Sequence, residues 1–390
     1  MEVIVWGINY TPEMTGIAPY NTALCEFLVE RGWNVDMVTA FAYYPEWRKR
    51  EEDRGRLYRT DYANGVRIHR CWAYVPAQVS ALRRMVHEGS FVLISLLRIL
   101  RLKRPSIFVV VSPPLLLGLA AWVASIVKNA PFVFHVQDLQ PDAAVGLGMV
   151  KAGWLTKLLY WMEGRAYAKA AKVSGISEGM LQMFRKKGVP EEKLVLFPNG
   201  VRLPANLPER GLFRARHHIS EEVFLAVYSG NLGIKQGLDV LIETAKELAG
   251  DGQGASRLPI LIVIAGDGAR RAILAERIAH AALDNVLLLP LQPEKEYREM
   301  LSDADCTVIT QQHGTGSFFF PSKLLASLAS AKPVLTVADD DSELAKAVRM
   351  GNFGVNVTPN RPDMLAQALR RFAATRENNG MAKAEKPAVF

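Results

Sequence analysis

The sequence has 390 residues, more than the roughly 250–300 at which a single hydrophobic core stops growing, so its length predicts two domains. Apolar residues make up 49% of the chain and charged residues 22%, a composition that excludes a disordered protein. The net charge of +8 suits a phosphorylated small molecule, an anionic lipid or a nucleic acid as partner, and the three scattered cysteines lack the spacing of metal ligands.

Strand-like and helix-like segments alternate along the first half of the chain. The opening MEVIVWGINY is typical of a strand and has no basic stretch before it, so we expect no signal peptide and a cytoplasmic protein. Apolar residues then repeat at helical spacing from Ile17 to Leu28, and Gly32 ends that helix. The predicted strands are Val3–Trp6, Val35–Thr39, Val66–Arg70, Ile107–Val111, Phe132–Val136 and Lys172–Ser174.

The segment Ile107–Val127 contains 21 residues without a charge, which is long enough for a transmembrane helix. However, Pro113 and Pro114 stand back to back within it, and proline interrupts a helix. We therefore predict a buried strand, a loop and a buried helix over Leu115–Val127.

The second half repeats this alternation, with helical patterns at Leu238–Leu248 and Glu343–Arg349. Its predicted strands are Val223–Tyr228, Ile260–Ala265, Val286–Leu289, Cys306–Ile309, Val334–Val337 and Val355–Val357. We therefore predict an α/β protein with two Rossmann-like domains, whose parallel sheets face an interdomain cleft. The predicted domains are residues 1–203 and 204–370, joined by the Pro-, Asn- and Gly-rich stretch Pro198–Pro208 and followed by a weakly structured tail over 371–390.

The second domain opens with a pattern that suits a diphosphate. In VYSGNLGIKQGLDVL a strand leads into the turn Ser229-Gly230-Asn231, and Lys235 follows near the start of a helix. Such a turn lets the backbone approach phosphate oxygens, and Lys235 adds a point charge, although a solvated surface lysine is the alternative. In the next turn, VIAGDGARR, Gly266 and Gly268 leave room for a base or ribose, and backbone groups near Gly266 and Leu291 would read the base.

Two more helix starts are candidate anion sites. In TGSFFFPSKLLASLASAKPVL the helix opens at Pro321, Ser322 caps it, and Lys323 at its mouth is a second candidate phosphate contact, with a salt bridge as the alternative. In the first domain, Gly16 precedes a helix in NYTPEMTGIAPY, where it allows close approach of a phosphate or a sugar hydroxyl, or simply forms an ordinary turn.

The sequence FHVQDLQPDA places three titratable side chains at the end of a strand. Asp138 can orient, or take a proton from, a hydroxyl group of a substrate. His135 is interpreted as a core residue, and Asp142 as a helix N-cap. The nearby stretch AYYPEWR, residues 42–48, would either stack on a sugar ring or a lipid or cover the core.

Between Leu82 and Arg104 lie six Lys or Arg residues and one Glu, around the apolar stretch FVLISLL. This pattern fits peripheral attachment to a membrane surface, or equally a core helix with a solvated basic end.

Taken together, the motifs TPEMTGI, FPNGV, SGNLGIKQG, AGDGARR and PSKLLASLASAKPV resemble the retaining glycosyltransferases of the GT-B fold, family 4, in order and spacing over nearly the whole chain. INYTPEMTGIAPY, AYYPEWR, VQDLQPDA and GLGM are most similar to the colanic-acid exopolysaccharide fucosyltransferase group and its lipid-linked-sugar relatives.

The resemblance implies a sugar transfer with retained configuration and without a metal or other cofactor. The donor would be a GDP- or UDP-sugar, with GDP-fucose suggested by the group, and the acceptor a saccharide or a polyprenyl-diphosphate-linked sugar. A phosphate oxygen of the donor would take the acceptor proton, while Lys235, Gly16, Ser322 and Lys323 stabilise the departing diphosphate. The residues assigned to the acceptor are Glu13, Thr15, Tyr44 and Trp47.

The sequence departs from the family pattern at several places. Ala326 replaces the Glu that holds the donor ribose, residues 317–320 (SFFF) lack the earlier acidic partner, and Asn231 replaces a positively charged residue. A C-terminal helix that often returns to the first domain falls in the tail over 371–390. These departures keep two alternatives open, an inactive GT-B binding scaffold and a nucleotide-sugar epimerase; nucleic-acid motifs are absent from the sequence.

Overall fold

A computed structural model describes residues 1–13, 16–78, 80–146, 153–200, 207–250, 258–315 and 323–379. The chain divides into two compact units, Met1–Asn199 and Gly200–Phe390. Each unit contains one twisted sheet with helices against it. The prediction of two α/β domains is therefore confirmed.

The sheet of the first unit has eight strands in the order β3-β4-β2-β1-β5-β6-β7-β8. All neighbours run parallel except β3 and β4 at one edge, which are antiparallel. The strands are β1 Glu2–Trp6, β2 Asn34–Ala40, β3 Tyr58–Ala63, β4 Val66–Cys71, β5 Ile107–Ser112, β6 Phe132–Val136, β7 Lys172–Gly175 and β8 Leu194–Leu196.

Helices cover both faces of this sheet. Val3 and Val5 face the core beneath α1, while Trp6, on the opposite face of the same strand, donates its indole N–H to Ser95 of α2 at 2.9 Å. The helices are α1 Ala18–Glu30, α2 Ala81–Arg101, α3 Leu116–Lys128, α4 Gln140–Gly146, α5 Trp154–Lys169 and α6 Glu178–Lys186.

Helix α3 lies between α2 and α5. The Lys128 ammonium at its end donates to the Leu100 carbonyl of α2 at 2.9 Å, and a Cβ at Gly118 would collide with Ala166 of α5. The apolar run that starts at Ile107 is thus a strand and a separate helix, as predicted. None of the helices in the described part of the chain is long and apolar enough to cross a membrane.

The sheet of the second unit has six parallel strands in the order β11-β10-β9-β12-β13-β14. The strands are β9 Phe224–Ser229, β10 Ile260–Ala265, β11 Val286–Leu289, β12 Cys306–Thr310, β13 Val334–Val337 and β14 Gly354–Val357. The helices are α7 Leu212–Arg216, α8 Asp239–Gly250, α9 Arg271–His280, α10 Glu294–Asp303, α11 Lys323–Ala329, α12 Glu343–Gly351 and α13 Pro362–Asn379.

The prediction of a weakly structured tail from residue 371 is wrong for the last helix. Helix α13 continues to Asn379, because Leu365, Leu369 and Ala373 repeat at helical spacing and are fully buried in the core of this unit. The return to the first domain was expected in the tail over 371–390, of which residues 380–390 lie outside the described residues.

Candidate active site

The turn after β9 lies at the carboxyl edge of the second sheet, where ligands of open α/β sheets bind. Gly230 has φ +133°, and a Cβ there would lie 2.5 Å from Lys323 Cε. The Tyr228 hydroxyl donates to the Asn231 carbonyl at 2.8 Å and so fixes the turn. Glycine is required at position 230 by its backbone conformation and by the lysine against it.

The turn after β10 packs directly on the turn after β9. Leu232 N donates to the Asp267 carbonyl at 2.8 Å, and Arg270 N donates to the Leu232 carbonyl at 2.9 Å. A Cβ at Gly266 would collide with the Gly230 carbonyl oxygen, so this glycine serves backbone packing and leaves no room for a base at its own Cα. Leu291 follows β11, whose Leu289 carbonyl accepts from Gly266 N at 3.1 Å.

Two lysines meet at this edge. Lys323, the first residue of α11, holds its ammonium 3.9 Å from the centroid of the Tyr228 ring and donates to the Tyr228 hydroxyl. Burial, and second the repulsion from the Lys235 ammonium, lower the pKa of Lys323 to about 7. Lys235 lies in the single helical turn Ile234–Gln236. Lys323 thus lies against the turn at Gly230, and Lys235 is close enough to lower the pKa of Lys323, an arrangement that attracts an anion.

A further pair of side chains lies beside this turn. His313 Nδ1 lies 2.5 Å from Asp339 Oδ1, and Gly314 N donates to Asp339 Oδ2 at 2.7 Å. His313 follows β12 and Asp339 follows β13, so both stand at the same carboxyl edge as Gly230. This pair was not predicted from the sequence, because the two residues are 26 positions apart and meet only through the pairing of β12 with β13 in the sheet.

In the first unit, Glu13 holds the aromatic stretch after β2. Its buried carboxylate accepts hydrogen bonds from Tyr43 N and Tyr44 N, both at 2.9 Å, and from the Asn9 amide at 2.8 Å. Burial raises the pKa of Glu13, partly offset by these bonds. Glu13 therefore positions Tyr44, and its carboxylate oxygens are already used within the protein. A Cβ at Gly16, which has φ +66°, would lie 3.7 Å from the Tyr44 ring.

The aromatic side chains form a cluster with a histidine. The Trp47 ring lies 5.3 Å from the Tyr43 ring, 6.4 Å from the Tyr44 ring and 5.3 Å from the His87 ring, all edge to face. Trp47 has φ +51°, a strained conformation for a bulky residue that is common at ligand sites. His87 bonds the Tyr74 carbonyl through Nδ1 at 2.5 Å, while its buried Nε2 has no hydrogen-bond partner among the described residues. His87 was not among the site residues predicted from the sequence.

Asp138 lies two residues after β6, half-buried, at the carboxyl edge of the first sheet. Asp138 is close enough to Arg84, which lies in the first turns of α2, to raise the pKa of the Arg84 guanidinium. Burial lowers the pKa of the Arg84 guanidinium, but Glu88, Tyr43 and Asp138 outweigh burial and raise it. Asp138, Arg84 and the aromatic cluster thus share one region of the first unit.

Comparison with known proteins identifies the family of both units. Residues 15–200 match the model of the glycosyl transferase 4-like domain, and residues 209–386 match that of the glycosyl transferases group 1. The chain is a GT-B glycosyltransferase. It is 29% identical over 393 residues to the putative colanic acid biosynthesis glycosyl transferase WcaI of Escherichia coli K12, covering 98% of this chain and 95% of that protein.

Solved structures share the fold of this glycosyltransferase at low sequence identity. The sucrose-phosphate synthase of Thermosynechococcus elongatus has a TM-score of 0.70 at 16% identity, covering 96% of this chain and 94% of that one. Anabaena HepE in complex with UDP-glucose has a TM-score of 0.66 at 14% identity, covering 99% and 95%.

Two sequence interpretations concern residues of the glycosyltransferase near Asp138. His135 is a core residue, as predicted: its ring nitrogens lie 2.9 Å from Ser174 Oγ and 2.8 Å from Gln137 Nε2, and burial lowers its pKa to about 4. The N-cap role predicted for Asp142 is wrong, because Asp142 lies within α4 and its carboxylate pairs with the Lys187 ammonium.

Two of the predicted contacts, Thr15 and Ser322, lie outside the described residues. Within the described part of the glycosyltransferase, no group of three or more His, Cys, Asp or Glu side chains is arranged to hold a metal ion. The independence from metal stays a prediction.

Proposed function

We propose that this glycosyltransferase transfers a hexose, with retained configuration and without a metal, from a GDP- or UDP-sugar, with GDP-fucose as the first candidate. The observation that carries the proposal is the position of Lys323 against the Gly230 turn, with Lys235 close enough to lower the pKa of Lys323. Two cations beside a close-approach glycine suit a departing nucleoside diphosphate, and preorganised charges of this kind act most strongly on the charge that develops in the transition state.

The proposed acceptor is a saccharide, free or linked to a polyprenyl diphosphate, of the kind used in exopolysaccharide synthesis. The E. coli relative carries colanic acid biosynthesis in its name, which supports this class. The strained Trp47 and the neighbouring Tyr44 offer ring faces for a sugar, and the half-buried Asp138 would orient the attacking hydroxyl.

We also propose that the enzyme works at the inner face of the plasma membrane. Helices α2, α3 and α5 lie side by side, and each exposes an apolar stripe at helical spacing, with Leu82 71% and Trp154 77% exposed. The stripes consist of Leu82, Val86, Leu93 and Leu97 on α2, Val123, Ile126 and Val127 on α3, and Trp154, Leu158 and Trp161 on α5.

The charge of this three-helix face favours an anionic bilayer as its occupant. Helices α3 and α5, together with Leu82–Arg104, contain ten Lys or Arg residues and two carboxylates. Both carboxylates are ion-paired, Glu88 with Arg84 at 2.9 Å and Glu163 with Lys187 at 2.6 Å, although Lys187 also pairs with Asp142. The cores of protein–protein interfaces are depleted of charged residues, whereas apolar side chains among basic ones suit a membrane surface.

The first test is thermal unfolding of the purified protein with GDP, UDP, ADP and dTDP in turn. A nucleotide at about 100 times its dissociation constant adds roughly 2.7 kcal/mol of stability and raises the midpoint by a few degrees. The corresponding nucleotide-sugar is then offered with a polyprenyl-diphosphate-linked saccharide, with and without EDTA, and the anomeric configuration of the product is read by NMR. Inversion, or loss of transfer in EDTA, would contradict the retaining, metal-free reaction.

One observation favours a second candidate, an inactive scaffold that binds a nucleotide. Ala326 lies one turn after Lys323 in α11, and its methyl group cannot accept a hydrogen bond from a ribose hydroxyl. A protein that binds one nucleotide in the thermal assay but transfers no sugar would support this candidate.

A further inference from the structure

The His313–Asp339 pair holds an imidazole in a defined state at the edge of the second sheet. Since Asp339 also accepts from Gly314 N, its carboxylate is fixed, and Nδ1 of His313 carries the proton that it shares with Asp339. The His313 side chain is 69% exposed, and with the proton on Nδ1 the neutral ring carries an acceptor lone pair on Nε2.

The turn that carries His313 is attached to the Lys235 turn. Gln312 N donates to the Lys235 carbonyl at 2.9 Å, and a Cβ at Gly237 would lie 3.1 Å from Gln312 Cα. His313 therefore directly follows a residue, Gln312, whose backbone is hydrogen-bonded to Lys235. The proposed function places Lys235 on the diphosphate.

Strand order decides which part of a donor His313 would meet. The sheet runs β11-β10-β9-β12-β13 in this region. Leu291, near which the base is predicted to bind, follows β11, and the lysine turn follows β9. His313 and Asp339 follow β12 and β13, on the other side of the lysine turn from Leu291. A nucleotide-sugar lying along this edge, base first, would place its sugar beside His313.

We infer that His313, positioned by Asp339, binds a hydroxyl group of the sugar being transferred, through Nε2. This inference rests on the proposed function, since it takes the Lys235 turn as the diphosphate site. It supplies a polar sugar contact in a chain whose residues 317–320 read SFFF and contain no carboxylate.

The test compares His313→Asn with wild type by titration calorimetry, using GDP with GDP-fucose and UDP with UDP-glucose. Asparagine can still donate to Asp339 but has no group at the position of Nε2, so the turn is retained while the sugar contact is lost. We expect the nucleotide-sugar to bind about tenfold more weakly and the nucleoside diphosphate to bind within about twofold of wild type. Asp339→Asn removes the carboxylate that positions the imidazole, so it should also weaken binding of the nucleotide-sugar, but by less than His313→Asn does.

Two variants serve as matched controls. His280→Asn makes the same exchange at the exposed end of α9, and Asp341→Asn changes an exposed carboxylate two residues from Asp339; both should bind like wild type. Equal weakening of diphosphate and nucleotide-sugar by His313→Asn, or no weakening of either, would overturn the inference and leave the proposed function standing. If the wild type binds neither pair, the proposed donor class fails, and the inference fails with it.

Discussion

The Lys323 ammonium lies 3.9 Å from the centre of the Tyr228 ring and donates to the hydroxyl of the same ring. Burial, and second the Lys235 charge, lower the pKa of Lys323 to about 7. The face of the Tyr228 ring favours the charged form of the amine. A diphosphate placed beside this amine would favour the charged form.

Donor binding should therefore take up protons. Because the pKa of Lys323 is about 7 in the free protein and rises when an anion binds, uptake begins above about pH 6 and affinity falls as the pH rises above 7. Calorimetry of nucleoside diphosphate binding in buffers of different ionisation enthalpy measures this uptake directly. Lys323→Met should abolish it; uptake that survives this exchange would place the titrating group elsewhere.

Lys235→Ala should reduce the rate of transfer by about 10²–10³-fold with the fold intact, because the departing diphosphate loses one preorganised cation. Steady-state kinetics with the cognate nucleotide-sugar gives the rate, and circular dichroism checks the fold. Lys246→Ala, which removes an exposed lysine paired with Glu243 on α8, should transfer at the wild-type rate. Near-normal turnover of Lys235→Ala would remove Lys235 from the reaction.

The sequence located the strands well, because buried parallel strands are continuous apolar runs. All twelve predicted strands are present with ends within one residue. The missed strand β3, YRTDYA, is a polar strand at the edge of the sheet, and β8 has only three residues. The end of α13 was not predicted because arginines stand between its apolar residues and obscure the helical spacing. Only the packing of α13 against α8 shows which face of the helix is buried.

The candidate site was predictable where its chemistry is local. Gly230, Lys235 and Lys323 each stand in a turn whose glycines or helix start indicate an anion site, and the structure brings them together. His313 and Asp339 are 26 positions apart, so their pairing depends on the order of strands in the sheet. His87 reaches the aromatic cluster from α2, again a tertiary relationship that no sequence spacing encodes.

Glu13→Ala should weaken use of the acceptor more than use of the donor. The exchange removes three hydrogen bonds that hold the Tyr43–Tyr44 backbone and the Asn9 amide, so Tyr44 and Trp47 lose their fixed positions. We expect about a tenfold increase in KM for the acceptor with an unchanged donor KM. Steady-state kinetics with the donor and the acceptor varied in turn measure both KM values. A parallel rise in both would indicate a general loss of structure.

Asp36→Asn should lower the free energy of unfolding by about 2 kcal/mol at pH 7. Burial raises the pKa of Asp36, but hydrogen bonds from the Arg67 guanidinium and from His69 Nε2, the latter at 2.9 Å, outweigh it and lower the pKa to about 2. A carboxyl whose pKa is lower in the folded state stabilises the protein above the unfolded value of 3.8, and this contribution disappears as the pH falls from about 4 to 2. Urea unfolding at pH 7 and pH 3 should show the difference between wild type and variant shrinking; a constant difference would contradict the assignment.

Replacing apolar residues of the three-helix face should release the protein from anionic membranes. The variant Leu93→Glu with Trp154→Glu places one carboxylate on each outer helix, which removes apolar contact and adds repulsion from anionic headgroups. Cosedimentation with vesicles of phosphatidylglycerol and phosphatidylethanolamine should show binding by wild type that weakens with salt, and at least about a tenfold loss in the variant. Met350→Glu, an equivalent exchange at an 85% exposed methionine in the second unit, should bind like wild type. A different result would assign this face to a second copy of the chain: the wild type does not bind the vesicles but forms a dimer in light scattering, and the double variant is monomeric.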